Sequence, residues 1–147
     1  MNAVKDHPNA TCDTDALSSL LRCELSAVET YDRAISSFGD QHALADLEQI
    51  REHHAHAVVR LRERVSHFGG EQVESPGPWP AFAASEGTPA LSLAALRQGE
   101  QHTINEYELA LQNETVNPEC KELIRTDLLP NDKIHVEKLD RLMGGMD

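Results

Sequence analysis

A repeated pair of residues constrains the fold of this chain more than any other feature. Glu24 lies in the middle of the apolar stripe of one amphipathic stretch, and Tyr31 follows it seven residues later. Glu100 and Tyr107 repeat this arrangement in a second stretch. Because a helix turns about 100° per residue, positions seven apart lie almost one above the other on the same face. Both glutamates are therefore predicted to point into a hydrophobic core, where an unpaired charge would be very costly.

A core-facing histidine extends the repeat to the helices that follow. A shift of 76 residues aligns the first Glu and Tyr with the second Glu and Tyr, and a shift of 81 aligns His54 with His135. The chain therefore contains two similar helical hairpins, each with a Glu on its first helix and a His on its second. Packing the hairpins about a pseudo-two-fold axis would bring these four polar residues together near the middle of the fold.

Composition supports an all-α fold. Ala, Leu, Glu and Arg are abundant, whereas the aromatic residues amount to three Phe, two Tyr and one Trp. This composition favours helix over sheet, and a chain of 147 residues has room for one domain. The apolar stripes predict a single four-helix bundle over residues 14–143 behind a flexible N-terminal arm, residues 1–13. The four helices are expected at about 14–37, 42–68, 90–114 and 118–143.

A connector rich in Pro and Gly separates the two hairpins. It covers residues 69–89, and an extended chain of that length, at about 3.3 Å per residue, can span a bundle about 35 Å long. The second and third helices are therefore expected to run in the same direction, joined by a crossover. Gly69-Gly70 and Gly144-Gly145 are expected to end the second and fourth helices. Pro130 is expected to cause an outward kink or a short break in the fourth.

On these residues the chain resembles the ferritin-like superfamily. Members of that superfamily hold a di-iron or di-manganese centre with one Glu from each of two helices and a Glu-x-x-His from each of the other two. The segment from Ala95 through Tyr107, together with His135, is similar to a bacterial family of ferritin-like four-helix bundles of uncharacterised function. The resemblance covers roughly residues 14–143. It implies a ferritin-like bundle that binds two iron or manganese ions in its core and has an oxidative or iron-handling role.

The resemblance also suggests which residues bind the metal. Asp132 stands three residues before His135, as a shortened version of Glu-x-x-His. Arg51 occupies the corresponding position before His54, which removes one anionic ligand and would place a cation beside the metals. The implied ligands are Glu24, His54, Glu100, Asp132 and His135, and the residues expected around them are Tyr31, Tyr107 and Arg51.

Two other interpretations of the polar core stay open. In the first, each core Glu hydrogen-bonds a His without any metal, and the bundle serves as a stress-related or protein-interaction module. In the second, His53 and His56 make the protein a histidine-rich zinc carrier. The helical wheel places His56 away from the apolar stripe and His53 at its side, although a different helix register would bring both inward.

Charge and cysteine usage exclude several other classes of function. The formal charge of −12 argues against nucleic acid or an anionic membrane as a partner. Three cysteines without a Cys-x-x-Cys spacing argue against a disulfide framework or a zinc ribbon. No apolar run is long enough for a signal peptide or a membrane span. We therefore expect a soluble cytoplasmic protein, and a homodimer by analogy with ferritin-like proteins.

Overall fold

The computed structural model describes residues 2–37, 41–70 and 92–145. Within these ranges the chain forms four helices and no strand, which confirms the predicted all-α class. The first three helices are α1 (Asn2–Ser37), α2 (Gln41–His67) and α3 (Leu93–Gln112). The fourth, α4, consists of an α-helical segment (Pro118–Leu123), a π-helical turn (Ile124–Leu128) and a second α-helical segment (Leu129–Gly145).

Two helix starts differ from the sequence prediction. α1 begins at Asn2, so helix occupies residues that we had assigned to a flexible arm. Nucleating a helix is costly but extending it is cheap, so a stable helix tends to continue into its flanking residues. α3 begins three residues later than expected, after Ser92, whose side chain accepts a hydrogen bond of 3.0 Å from the amide of Ala95. This N-cap satisfies an amide that would otherwise have no partner at the helix start.

The glycines at the end of α2 close the helix as predicted. Gly69 adopts a φ of 79°, a left-handed conformation that costs glycine little. The amide of Gly70 donates to the carbonyl of Val65 at 2.9 Å, and that of Gly69 to Ser66 at 3.0 Å. These are the two hydrogen bonds of a Schellman motif. α4 extends through Gly145, where the described part of the chain ends, so the helix end expected at Gly144-Gly145 stays a prediction.

The α-helical segment Leu129–Gly145 includes Pro130, so the helix does not break at this residue. A proline in a regular helix lacks an amide hydrogen and clashes with the carbonyl four residues earlier, here Thr126. The π-helical turn lies just before this proline, and the amide of Leu129 donates to the carbonyl of Ile124, five residues back. We infer that the wider turn accommodates the proline ring. α4 therefore continues without interruption into the segment that carries Asp132 and His135.

The contacts between helices define their directions. α1 and α2 form an antiparallel hairpin, and so do α3 and α4. Glu24 on α1 contacts Tyr107 on α3, whereas the later Tyr31 contacts the earlier Glu100, so α1 and α3 are also antiparallel. It follows that α2 and α3 run in the same direction, as the predicted crossover requires. The crossover itself, apart from Gly69-Gly70, lies outside the described residues.

The hydrophobic core is divided into two clusters by a buried polar layer. On every helix, residues on one side of this layer belong to the first cluster and residues on the other side to the second. The first cluster includes Leu17, Leu21, Leu61, Val65, Ile104 and Ile124, and the second includes Ala27, Ala34, Leu47, Ile50, Leu96 and Leu139.

None of the helices described combines the length and the apolar character needed to cross a membrane.

Candidate metal centre

Five ionisable side chains form the polar layer, and each is at most 2% exposed. They come from all four helices, at positions where the helical periodicity turns the side chain inward. A buried ionisable group must find hydrogen-bond or charge partners within the protein. The five residues are Glu24 on α1, His54 on α2, Glu100 on α3, and Asp132 and His135 on α4.

Glu100 lies at the centre of this layer and accepts three hydrogen bonds. Its Oε2 accepts from the hydroxyl of Tyr31 at 2.6 Å and lies 2.7 Å from Nε2 of His54. Its Oε1 lies 3.2 Å from Nδ1 of His135. Both oxygens therefore have partners, and both partner histidines come from helices other than α3. Glu100 connects three helices to its own.

Glu24 has a related but less central position. Its Oε1 lies 2.5 Å from Nδ1 of His54, and its Oε2 accepts a hydrogen bond from Tyr107. His54 consequently contacts two carboxylates, Glu24 through Nδ1 and Glu100 through Nε2. Tyr31 and Tyr107, which the sequence placed around the site, therefore both donate hydrogen bonds to core carboxylates. Each one donates to the Glu of the opposite hairpin.

Asp132 is the one incompletely paired residue of the layer. Its Oδ1 lies 3.4 Å from Nδ1 of His135. Its Oδ2 is buried and is the only buried side-chain nitrogen or oxygen without a hydrogen-bond partner in the described parts of the chain. Leaving a buried acceptor unpaired costs about 1–3 kcal/mol. The position therefore suits a ligand that supplies positive charge.

Four of the five residues bring one potential ligand atom each to a common point. Their ligand atoms all lie within 4.8 Å of one another. Opposite ligands of an ion with bonds of about 2.1 Å are about 4.2 Å apart, so a contraction of a few tenths of an ångström would fit one ion. This buried group could hold a metal ion. It consists of His54, Glu100, Asp132 and His135, and Glu24 is outside it.

Electrostatics favour the charged forms of the two imidazoles and of Glu100 when no metal is bound. Burial alone would lower the pKa of His54, but the charges of Glu100 and Glu24 outweigh it and raise that pKa well above its usual value. Burial also lowers the pKa of His135, but the charge of Glu100 outweighs this effect, and the pKa of His135 is raised. Burial would raise the pKa of Glu100, but the positive charges of the two histidines lower it.

The pKa of Asp132 is shifted in the opposite direction to that of Glu100. Burial, and then the negative charge of Glu24, raise its pKa from 3.8 to about 8. Its carboxyl group is therefore protonated at neutral pH in the metal-free protein. Because a carboxyl group must be deprotonated to bind a metal, an ion in this site would displace a proton from Asp132.

Arg51 does not lie where the sequence suggested. We expected its cation beside the metals, but its guanidinium pairs with Asp32 at 2.8 Å and with Glu52 at 3.3 Å. The Arg51 side chain is 34% exposed. Moving a guanidinium from water into an apolar interior is costly, and surface carboxylates within reach pair with it without burial. The buried layer therefore contains no arginine.

His53 is a site residue that the sequence interpretation missed. Its Nδ1 lies 2.8 Å from Nε2 of His135, although we had placed His53 at the side of the apolar stripe. His56 is exposed, so the different helix register that would turn both histidines inward does not occur. The adjacency of His53 to His54 could have indicated this role. Because α2 faces both α1 and α4, neighbouring residues on it can contact different helices.

Cys23 does not provide a reactive thiol near this centre. Its Sγ lies 3.9 Å from Nε2 of His102. Burial, followed by the charges of Glu106 and Glu24, raises the pKa of the Cys23 thiol to about 12. A thiol with this pKa is protonated at neutral pH and is a poor nucleophile.

Comparisons with family models, with curated proteins and with solved structures find no match. The ferritin-like resemblance of the sequence therefore stays a prediction.

Proposed function

We propose that this bundle binds a divalent transition metal, iron or manganese, at His54, Glu100, Asp132 and His135. The observation that carries the proposal is the unpaired Oδ2 of Asp132 within a group of four converging ligand atoms. A bound cation would give this oxygen a partner and remove the cost of burying it alone. The three other residues already surround the same point with carboxylate and imidazole groups.

The mixture of donors supports the choice of metal. Carboxylates suit Mg, Ca and Mn, whereas imidazoles suit Zn, Cu, Fe and Ni. Two carboxylates with two imidazoles favour iron or manganese, which accept both donor types. The absence of a cysteine from the ligand group argues against a site selective for soft metals.

An oxidative or iron-handling role is the function we assign to this centre. A bound iron or manganese ion would supply redox chemistry with oxygen or peroxide. Hydrogen bonds within the chain orient the ligands: Tyr31 orients Glu100, and Glu24 orients His54. The two apolar clusters on either side of the layer limit the access of water. A low-polarity surrounding strengthens electrostatic interactions with the ion.

The di-metal centre implied by the ferritin-like resemblance would require a second ion beside Glu24 and Nδ1 of His54. The repeat makes this pair equivalent to Glu100 and Nδ1 of His135. However, the first hairpin lacks a counterpart of Asp132, because Arg51 stands there and pairs at the surface. We therefore expect one tightly bound ion per chain and weaker binding of any second ion.

Metal counting tests this proposal directly. Protein freed of metal with a chelator would be loaded anaerobically with Fe²⁺ or Mn²⁺, separated from unbound ions, and analysed for metal per chain. We expect one ion in the wild-type protein and a large loss in Asp132→Asn. Asp140→Asn is the matched control, because Asp140 lies on the same helix in a surface pair with Arg97. Equal metal content in all three proteins, or none in the wild type, would refute the proposal.

One observation favours the alternative of a metal-free polar core. Apart from Oδ2 of Asp132, every buried polar side-chain atom of the described layer has a partner without a metal. This alternative predicts that metal does not change the thermal stability. Our proposal predicts stabilisation by about 2.7 kcal/mol at a free metal concentration 100 times the dissociation constant. A thermal unfolding series with Mn²⁺ and with chelator separates the two.

A further inference from the structure

His53 is joined to the buried centre by a well-directed hydrogen bond between two imidazoles. Its Nδ1 lies 2.8 Å from Nε2 of His135. The planes of the two rings differ by only 21°, and their centroids are 5.0 Å apart. Because the bonded nitrogens lie much closer together than the centroids do, and the rings are almost parallel, the bond lies near the planes of both rings. This is the favourable direction for an N–H···N hydrogen bond.

The surroundings of His135 show which of its nitrogens can bind the metal. Nδ1 lies 3.2 Å from Glu100 and 3.4 Å from Asp132, within the group of ligand atoms. Nε2 is on the opposite side of the ring and contacts His53. A histidine that binds a metal through Nδ1 carries its hydrogen on Nε2, and that hydrogen needs an acceptor. In the described structure, Nδ1 of His53 is the acceptor within reach.

We propose that His53 is a positioning residue for His135. It accepts the hydrogen of Nε2 and so holds His135 in the tautomer and ring orientation that present the lone pair of Nδ1 to the metal. The inference rests on the proposed function, since it concerns the same metal site. His53 does not itself touch the metal in this arrangement.

The two histidine ligands are oriented by different kinds of partner. His54 has the carboxylate of Glu24 on its second nitrogen, and His135 has the imidazole of His53. The internal repeat does not supply His53 twice, because a shift of 81 residues places Ile134 at the equivalent position, where it is 43% exposed. His53 is half-buried, so it also links the enclosed centre to the surface of the bundle.

Three variants test this role. His53→Leu removes the acceptor, and His53→Gln replaces it with an amide oxygen that can accept the same hydrogen bond. His56→Leu is the matched control, because His56 lies on the same helix three residues later and is exposed. Each metal-free protein would be titrated with Co²⁺, with the affinity measured by chelator competition and the coordination by visible absorption.

We expect His53→Leu to lower the Co²⁺ affinity roughly 10- to 100-fold and to change the absorption bands. His53→Gln should recover most of the affinity and the wild-type bands, and His56→Leu should behave like the wild type. Wild-type affinity in His53→Leu, or equal losses in the Leu and Gln variants, would overturn the positioning role while leaving the metal site intact. Failure of the wild type and of His56→Leu to bind Co²⁺ would instead refute the proposed function, and this inference with it.

Discussion

The hydroxyl of Tyr31 on α1 donates a hydrogen bond of 2.6 Å to the carboxylate of Glu100 on α3. Tyr107 on α3 makes the reciprocal bond to Glu24 on α1. Each tyrosine therefore serves the glutamate of the opposite hairpin and not the one that precedes it by seven residues in its own helix. The exchange requires α1 and α3 to be antiparallel. It joins the two hairpins through buried hydrogen bonds to charged acceptors, which are stronger than neutral ones.

Removing either tyrosine hydroxyl should destabilise the fold, but only one removal should strongly affect metal binding. Tyr31→Phe and Tyr107→Phe each take a donor from a buried carboxylate, so we expect each to lower the free energy of unfolding by about 1.5–3 kcal/mol. Glu100 belongs to the ligand group and Glu24 does not. Tyr31→Phe should therefore weaken Mn²⁺ binding more than Tyr107→Phe does. Urea denaturation in chelator and calorimetric titration with Mn²⁺ measure the two effects, and equal affinities would contradict the assigned ligands.

The two core glutamates should differ in the same way. Glu100→Gln replaces a ligand and should abolish tight metal binding. Glu24→Gln leaves all four ligands and alters only the partner of His54, so we expect one ion per chain with an affinity reduced roughly 10- to 100-fold. Metal analysis of both variants at high and low Mn²⁺ concentration tests this difference. Loss of the ion in Glu24→Gln at high Mn²⁺ would show that Glu24 is itself a ligand.

The metal-free protein should lose stability as the pH rises from 6 to 9. The raised pKa values of His54 and His135 give stability that is fully present below about 6.5 and lost as the pH rises above it. The contribution of Asp132 is fully present below 3.8 and is lost as the pH rises to about 8. The lowered pKa of Glu100 acts below 4.5, outside this range. The histidines and Asp132 therefore act in the same direction.

Asp132→Asn isolates the part of this loss that comes from the carboxyl group. Asparagine cannot ionise, so between pH 6 and 8 the variant should lose roughly 2 kcal/mol less stability than the wild type. Urea denaturation in chelator at pH 6, 7 and 8 gives the comparison, with Asp140→Asn as the control for a surface aspartate. Parallel pH profiles for the wild type and Asp132→Asn would show that Asp132 does not titrate in this range.

Three glycine-to-alanine substitutions should have different effects. Gly69→Ala forces alanine into a left-handed conformation, at a cost of about 1–2 kcal/mol. Gly70→Ala would place Cβ only 2.8 Å from Cβ and Cγ2 of Thr14 on α1, and overpacking of this kind costs about 1–3 kcal/mol. Gly144→Ala meets nothing within 4 Å and should stabilise α4 by up to about 1 kcal/mol. Thermal unfolding should give lower melting temperatures for Gly69→Ala and Gly70→Ala than for Gly144→Ala. Equal melting temperatures would contradict this expectation.

The sequence predicted much of the fold and part of the candidate site. Helical periodicity located the core faces of all four helices, because burial requires an apolar stripe to repeat with the helical turn. The same periodicity identified Glu24, His54, Glu100 and His135 as core residues, and all four are buried. It could not predict the π-helical turn before Pro130, since that turn reflects a local adjustment of backbone hydrogen bonds.

Tertiary contacts, in contrast, assigned each polar residue its partner. Arg51 occupies the position of an expected ligand, but a neighbouring helix offers it Asp32 at the surface. His53 was placed at the side of a helix, but α4 brings His135 to it. Periodicity gives the direction of a side chain from its own helix and contains no information about which residue of another helix it meets.

By itself, the amino-acid sequence determined that this chain forms four amphipathic helices with an acidic and histidine-containing layer at the middle of their apolar faces. Local propensity and hydrophobic spacing are properties of each segment, so they can be read without the fold. Only the tertiary structure decided that the tyrosines exchange glutamates, that Glu24 lies outside the ligand group and that one oxygen of Asp132 has no partner. These features depend on the directions and separations of helices far apart in the chain, which determine the distances between the atoms that bind a metal.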